Sequence, residues 1–187
     1  MNAKRLIWGL TAASLLTSAS VSVVRAQAEK HGSHGTVRGP VPEAVRQATE
    51  RFRDVNNAIA AGYAQNGGCV SGPEEGVMGV HFAKGPLFDG KVDVEQPEVL
   101  VYEPRNGQLH LVAAEYVIPA SAWDPTQDPS GSPHLMGHML HFVPGPNRYG
   151  PDAFYELHVW AWKDNPHGSF ADWNPKATCA EWGGTTF

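Results

Sequence analysis

Ala153-Phe154-Tyr155-Glu156-Leu157-His158-Val159-Trp160-Ala161-Trp162-Lys163 is the segment whose reading decides the fold. Its aromatic and β-branched content marks it as a strand, expected over 153–163. Side chains of a strand alternate between its faces, so Phe154, Glu156, His158, Trp160 and Trp162 share one side, while Tyr155, Leu157, Val159 and Ala161 share the other. The second set is ordinary core. The first mixes a carboxylate and an imidazole with large rings, as the lining of a ligand pocket does.

Upstream, 98–103 and 108–118 alternate in the same way, and Pro104-Arg105-Asn106-Gly107 supplies a turn between them, the Asn-Gly pair being a strong hairpin signal. Val77 to Phe82 forms a further strand-like stretch. Before it, Gly67, Gly68, Gly72, Pro73 and Gly76 punctuate the chain. Earlier still, Val45, Ala48, Phe52, Val55, Ile59 and Tyr63 recur at spacings of three and four, with polar residues between. That periodicity predicts one amphipathic helix over 42–62, opened by Pro42 and closed near Gly62. The class expected is α+β: a small curled antiparallel sheet or barrel with one packed N-terminal helix. Residues 120–152, rich in Pro, Gly, Asp and Ser, read as a long functional loop with a short helix near Leu135–Leu140.

Outside this body, Lys4 and Arg5 precede an apolar run from Leu6 to Val24 broken only by small residues, the layout of a secretory signal. Cleavage after Ala26 or Ala28 leaves about 160 residues, one ordinary domain. The expected organisation is a signal peptide at 1–28, a flexible N-terminus at 29–41 carrying His31 and His34, and one globular domain at 42–187. A periplasmic or secreted location follows, with no membrane attachment after cleavage. The chain's two cysteines, Cys69 and Cys179, are then expected to pair with each other. A formal net charge of −5, with no basic cluster beyond the signal, excludes nucleic acid as partner. No Gly-x-Ser-x-Gly elbow or P-loop spacing is present, which removes those routes to nucleophilic and phosphoryl chemistry.

Three polar residues stand in otherwise apolar strands: His81, Glu115 and His158. A buried carboxylate needs a cation as partner, and Glu115 has none nearby in sequence. Gly79, two positions before His81, leaves room on the same face for something bulky. If three strands deliver these groups to one point, two imidazoles and a carboxylate form a ligand set for zinc or non-haem iron, with Trp160 and Trp162 as walls. Glu115 would be a ligand or general base.

A second set is His134, His138 and His141. On a helix they would share a face, and Met136 and Met139 beside them would favour copper. Otherwise this stretch is a lid over the pocket, with one or two histidines reaching in. The functional expectation is a divalent metal (zinc, iron or copper) held by His81, Glu115 and His158, with His138 and His141 contributing, and a small-molecule ligand as partner. The competing class is a non-catalytic periplasmic ligand-binding or envelope protein without metal. Whether the protein is an enzyme stays open at this point.

Met78-Gly79-Val80-His81-Phe82, the strand Pro97–Tyr102, Glu115-Tyr116 and the run Leu157-His158-Val159-Trp160-x-Trp162-Lys163-x-Asn165-Pro166-x-Gly168-x-Phe170-x-x-Trp173-Asn174-Pro175 together resemble a family of exported bacterial proteins with no assigned activity. The resemblance covers about residues 50–180. It implies one whole domain and carries no activity, cofactor or catalytic residue across.

Overall fold

Residues 39–128, 130–147 and 150–184 are described by the computed structural model; the expected signal peptide and most of the expected flexible N-terminus lie outside them. The N-terminal helical elements are α1 (Pro40–Thr49), a 3-10 turn (Glu50–Arg53) and α2 (Val55–Ala60). The strands are β1 (Ala64–Gly72), β2 (Gly76–Ala83), β3 (Val99–Arg105), β4 (Gln108–Pro119), β5 (His134–Leu135), β6 (His138–Met139), β7 (His141–Val143) and β8 (Phe154–Val159). Six strands build one antiparallel half-barrel sheet in the order β1-β2-β3-β4-β8-β7, and β5 with β6 forms a separate small hairpin. This is the α+β arrangement expected, with the N-terminal helical segment packed on the sheet.

The single helix expected over 42–62 is interrupted. Helix formation begins earlier, at Pro40, because a proline in the first turn gives up no intrahelical hydrogen bond. It is broken at Asp54, whose backbone is extended and whose Oδ1 accepts from Asn56 N at 2.9 Å, starting a new helix. The break redirects the apolar stripe. Val41, Val45, Ala48 and Phe52 are buried, but Ile59, which belongs to the same periodic series, is exposed.

The helical segment covers one side of the sheet. Against it lie Val80 and Phe82 of β2, Leu100 and Tyr102 of β3, Ala114, Tyr116 and Ile118 of β4, and Leu157 and Val159 of β8. Three tyrosine hydroxyls tie this layer together: Tyr63 donates to Pro97 O, Tyr102 to Phe52 O and Tyr116 to Val94 O. Burial pushes the Tyr63 hydroxyl up to about 12, so it stays a donor throughout the physiological range.

The hairpin at Asn106-Gly107 forms as expected, both residues taking positive φ (53° and 70°). Three other segments differ from expectation. The glycine-punctuated stretch before β2 is itself a strand, β1, pairing with β2 through two register shifts. The long segment 120–152 carries β5, β6 and β7. The short helix expected at Leu135–Leu140 is the β5–β6 hairpin, turned by Met136 (φ 49°) and Gly137 (φ 84°). After β8 the chain doubles back, and Asn174 bridges Val77 of β2 through hydrogen bonds in both directions, at 3.0 and 3.1 Å. Gly76 makes this close approach possible: a Cβ there would stand 2.7 Å from the Asn174 backbone. Cys69 of β1 and Cys179 of the returning tail form a disulfide across a separation of 110 residues. Among the described residues no helix is long and apolar enough to cross a membrane.

Candidate metal centre

The register of the sheet determines what stands on its other side. Residues directly opposed in an antiparallel pair share a face. Glu115 of β4 opposes His158 of β8, and Glu156 of β8 opposes both Val117 of β4 and His141 of β7. Glu115 also opposes Val99 of β3, while His81 of β2 opposes Val101 two residues further along β3. His81, Glu115, Glu156, His158 and His141 therefore lie on one face, turned away from the helices. Val99, Val101, Ala113, Val117, Phe154 and Trp160 form an apolar cluster around them.

Two groups of potential ligands result. His81, Glu115 and His158, all buried, bring one ligand atom each within 4.8 Å of the others, and His141, Glu156 and Asp172 do the same. In the first group His81 Nε2 is 3.7 Å from Glu115 Oε2, and His158 Nδ1 is 3.9 Å from Glu115 Oε1. Such separations exceed a hydrogen bond. They fit side chains disposed about an ion, since bonds of about 2.0–2.2 Å leave neighbouring ligand atoms about 3–4 Å apart. The His81 and His158 rings meet edge to face, their centroids 6.1 Å apart. Both groups could hold a metal ion.

Burial without a compensating cation is expensive for a carboxylate. Glu103, also buried, shows the usual solution: its Oε2 accepts from Lys163 Nζ and its Oε1 from Thr178 N, each at 3.0 Å. Glu115 has no such partner; among the described residues no lysine or arginine pairs with it. Desolvation, then the negative charges of Glu156, Asp172 and Glu98, push its carboxyl well above the usual carboxylate range. Burial pushes Glu156 upward too, but hydrogen bonds from His141 and Glu115 and the neighbouring imidazole of His158 outweigh it and hold Glu156 at about 2. The two side chains hydrogen-bond to each other, which raises the Glu115 carboxyl and lowers that of Glu156. His141 donates to Glu156 at 3.0 Å, and this bond keeps its imidazole above its ordinary value despite partial burial, with Asp172 adding to the effect.

Asp172 is brought in by the returning tail. Trp160 holds that tail twice: its backbone N donates to Ser169 O, and its indole Nε1 to Ala171 O, the residue before Asp172. Asn165 fixes the far side of the loop, accepting from His167 N and donating to Trp173 O. Sequence reasoning missed Asp172 altogether and noted Glu156 only as a carboxylate on the pocket face. The signal available for Asp172 was its place in a turn-forming run between Gly168 and Pro175.

The other expected site residues divide. Trp160 is buried beside His158, the two rings stacked at 6.5 Å. Trp162 is on the helix side: its Nε1 donates to Thr49 Oγ1, and Arg46 and Arg53 lie over its ring. Regular pairing of β8 stops at Val159, so the alternation that would have aligned Trp162 with His158 does not reach it. The room expected beside Gly79 is filled by Val101 Cγ1 and the Tyr102 carbonyl, which would stand 2.9 and 2.7 Å from a Cβ there. His141 joins the centre from β7. His138 stacks on Phe170, ring centroids 4.2 Å apart, and His134 faces Asp128 at 3.3 Å. These two, on a hairpin rather than a helix, do not share a face with His141. Met136 and Met139 are exposed.

A cavity of about 330 Å³ opens on the centre, with His81 and Glu115 in its lining and Phe88, Val99, Val117 and Phe154 as apolar walls. The volume is that of a site for a small organic molecule. Trp160 and Trp162 are not in the lining of this cavity, Trp160 packing beside His158 instead. No family model matches the chain, and neither a curated protein nor a solved structure is similar enough to it to count as a match.

Proposed function

We propose that this protein binds a divalent metal at His81, Glu115 and His158 and acts there on a small organic molecule held in the adjoining cavity. The carrying observation is that three strands deliver two imidazoles and one carboxylate, all buried, to within 4.8 Å of one another. Neutral imidazole and carboxylate suit zinc and non-haem iron, and three protein ligands leave positions for water and substrate. Met136 and Met139, the thioethers that favoured copper, are exposed on the β5–β6 hairpin while the three ligands are buried, so zinc and iron are preferred. A bound ion would act as a Lewis acid and as a source of hydroxide near neutral pH. The protein's own part is to position the ligands, to exclude water with Val99, Val117 and Phe154, and to hold a proton between Glu115 and Glu156 until the metal displaces it. Export to an oxidising compartment belongs to the same reading, supported by the signal-like N-terminus and the disulfide.

Elemental analysis of protein purified without chelator tests the proposal. Zinc or iron at roughly one equivalent or more is expected, and His158→Ala should remove the equivalent held at His81, Glu115 and His158 while the fold survives. Less than about a tenth of an equivalent of any transition metal, unchanged by adding zinc, copper or iron, defeats it.

A further inference from the structure

The second ligand group is not a separate surface feature. Asp172 Oδ1 lies 3.8 Å from His158 Nδ1, while Asp172 Oδ2 lies 3.7 Å from His141 Nε2. One carboxylate thus addresses an imidazole of each group with a different oxygen. The groups meet a second time where the Glu115 and Glu156 carboxyls hydrogen-bond to each other. We infer that the site is a two-metal centre, in which His141, Glu156 and Asp172 hold a second divalent ion and the Asp172 carboxylate bridges it to the first. The inference rests on the metal reading of His81, Glu115 and His158 and extends it.

Three features support a second ion over a purely supporting role for these residues. The ligand atoms of His141, Glu156 and Asp172 meet the same 4.8 Å limit as the first group. They comprise an imidazole and two carboxylates, an ordinary donor set for zinc, iron or manganese. Their exposure is graded, with the His141 and Asp172 side chains 45 % and 31 % accessible and Glu156 7 %, so an ion can enter from solvent without passing through the buried group. Charge alone does not decide. Three carboxylates with neutral histidines carry −3; one divalent ion with the shared proton kept gives neutrality, and two ions with one hydroxide give it as well. The geometry of Asp172 decides, because a carboxylate that only oriented His158 would have no need to face His141 with its other oxygen. Two-metal sites hold their ions about 3.5–4 Å apart and clamp the attacking and leaving oxygens of a displacement, which makes a hydrolysable ester or phosphoester the fitting substrate class.

Metal-free full chain loaded with Mn²⁺ and passed through a desalting column separates the outcomes. Two equivalents with an exchange-coupled electron paramagnetic resonance spectrum are expected for the wild type. His141→Ala, altering a half-exposed side chain, should retain one equivalent with an uncoupled spectrum. Asp172→Asn, which leaves both imidazoles in place, should lose the coupling. One equivalent and an uncoupled spectrum in the wild type, unchanged by His141→Ala, would overturn the second site and leave the first standing. No retained metal in any of the three proteins would overturn the first site and this inference with it.

Discussion

The two sides of one sheet are built to different rules. Toward the helices the same strands present Val80, Leu100, Tyr102, Tyr116, Leu157 and Val159, and the polar atoms there, the tyrosine hydroxyls, each meet a backbone carbonyl. Toward the other side they present His81, Glu115, Glu156, His158 and His141, with the Glu115 carboxyl raised by burial and by its acidic neighbours. The first face contributes stability through buried apolar area and satisfied donors. The second concentrates charge-bearing groups where burial is costly, and it becomes a favourable arrangement only when a cation enters. Strand register makes both possible: a one-residue slip of β8 would turn Glu156 and His158 toward the helices and Leu157 and Val159 away from them.

The disulfide fastens the tail carrying Asp172 to β1 of the sheet. Closing a loop of 110 residues is worth about 4–5 kcal/mol in the chain-entropy model. Replacing both cysteines by serine should lower unfolding free energy by that order in denaturant titrations. On the helix side, Leu100→Ala should cost about 3 kcal/mol, since Leu100 is fully buried in the apolar cluster. Metal stoichiometry measured on the folded Leu100→Ala protein should be unchanged.

Glu98, buried where β3 begins, makes stability depend on pH. Desolvation outweighs its hydrogen bond from Val117 N and raises its carboxyl to about 8. Between about pH 4.5 and 8 the folded chain keeps this proton while the unfolded chain has released it, so stability falls as pH rises across that window. Thermal melts of metal-free protein should show the fall, and Glu98→Gln should flatten it. Glu115→Gln tests the other face in the same direction. The amide can donate to Glu156 as the protonated acid does, so metal-free protein at pH 8 should gain about 1 kcal/mol while metal uptake is lost. A loss of stability instead would mean that Glu115 is a structural acid.

Much of this contrast is readable in the amino-acid order. The alternation in 154–159 separates Glu156 and His158 from Leu157 and Val159, and the Asn106-Gly107 turn aligns β3 with β4, which together bring Glu115 opposite His158. What could not be read depends on contacts distant in sequence or on unusual local conformations. The β5–β6 turn uses Met136 at positive φ, where an asparagine would have announced it, so a segment with helical spacing of histidines folds as a hairpin. Asp54 ends a helix in the middle of an unbroken apolar period, because its side chain captures a backbone N–H. Asp172 reaches the centre through the bonds of the Trp160 backbone and indole to the returning tail, and no periodicity reports those. Trp162 follows the strand alternation in sequence but leaves it in space, since β8 ends at Val159.

Anomalous diffraction from crystals of protein loaded with zinc examines the polar face most directly. The account predicts a peak at coordination distance, about 2.0–2.2 Å, from His81 Nε2, His158 Nδ1 and a Glu115 oxygen. A protein that holds no anomalous scatterer on this face, or holds one only at His134 or His138, would contradict it.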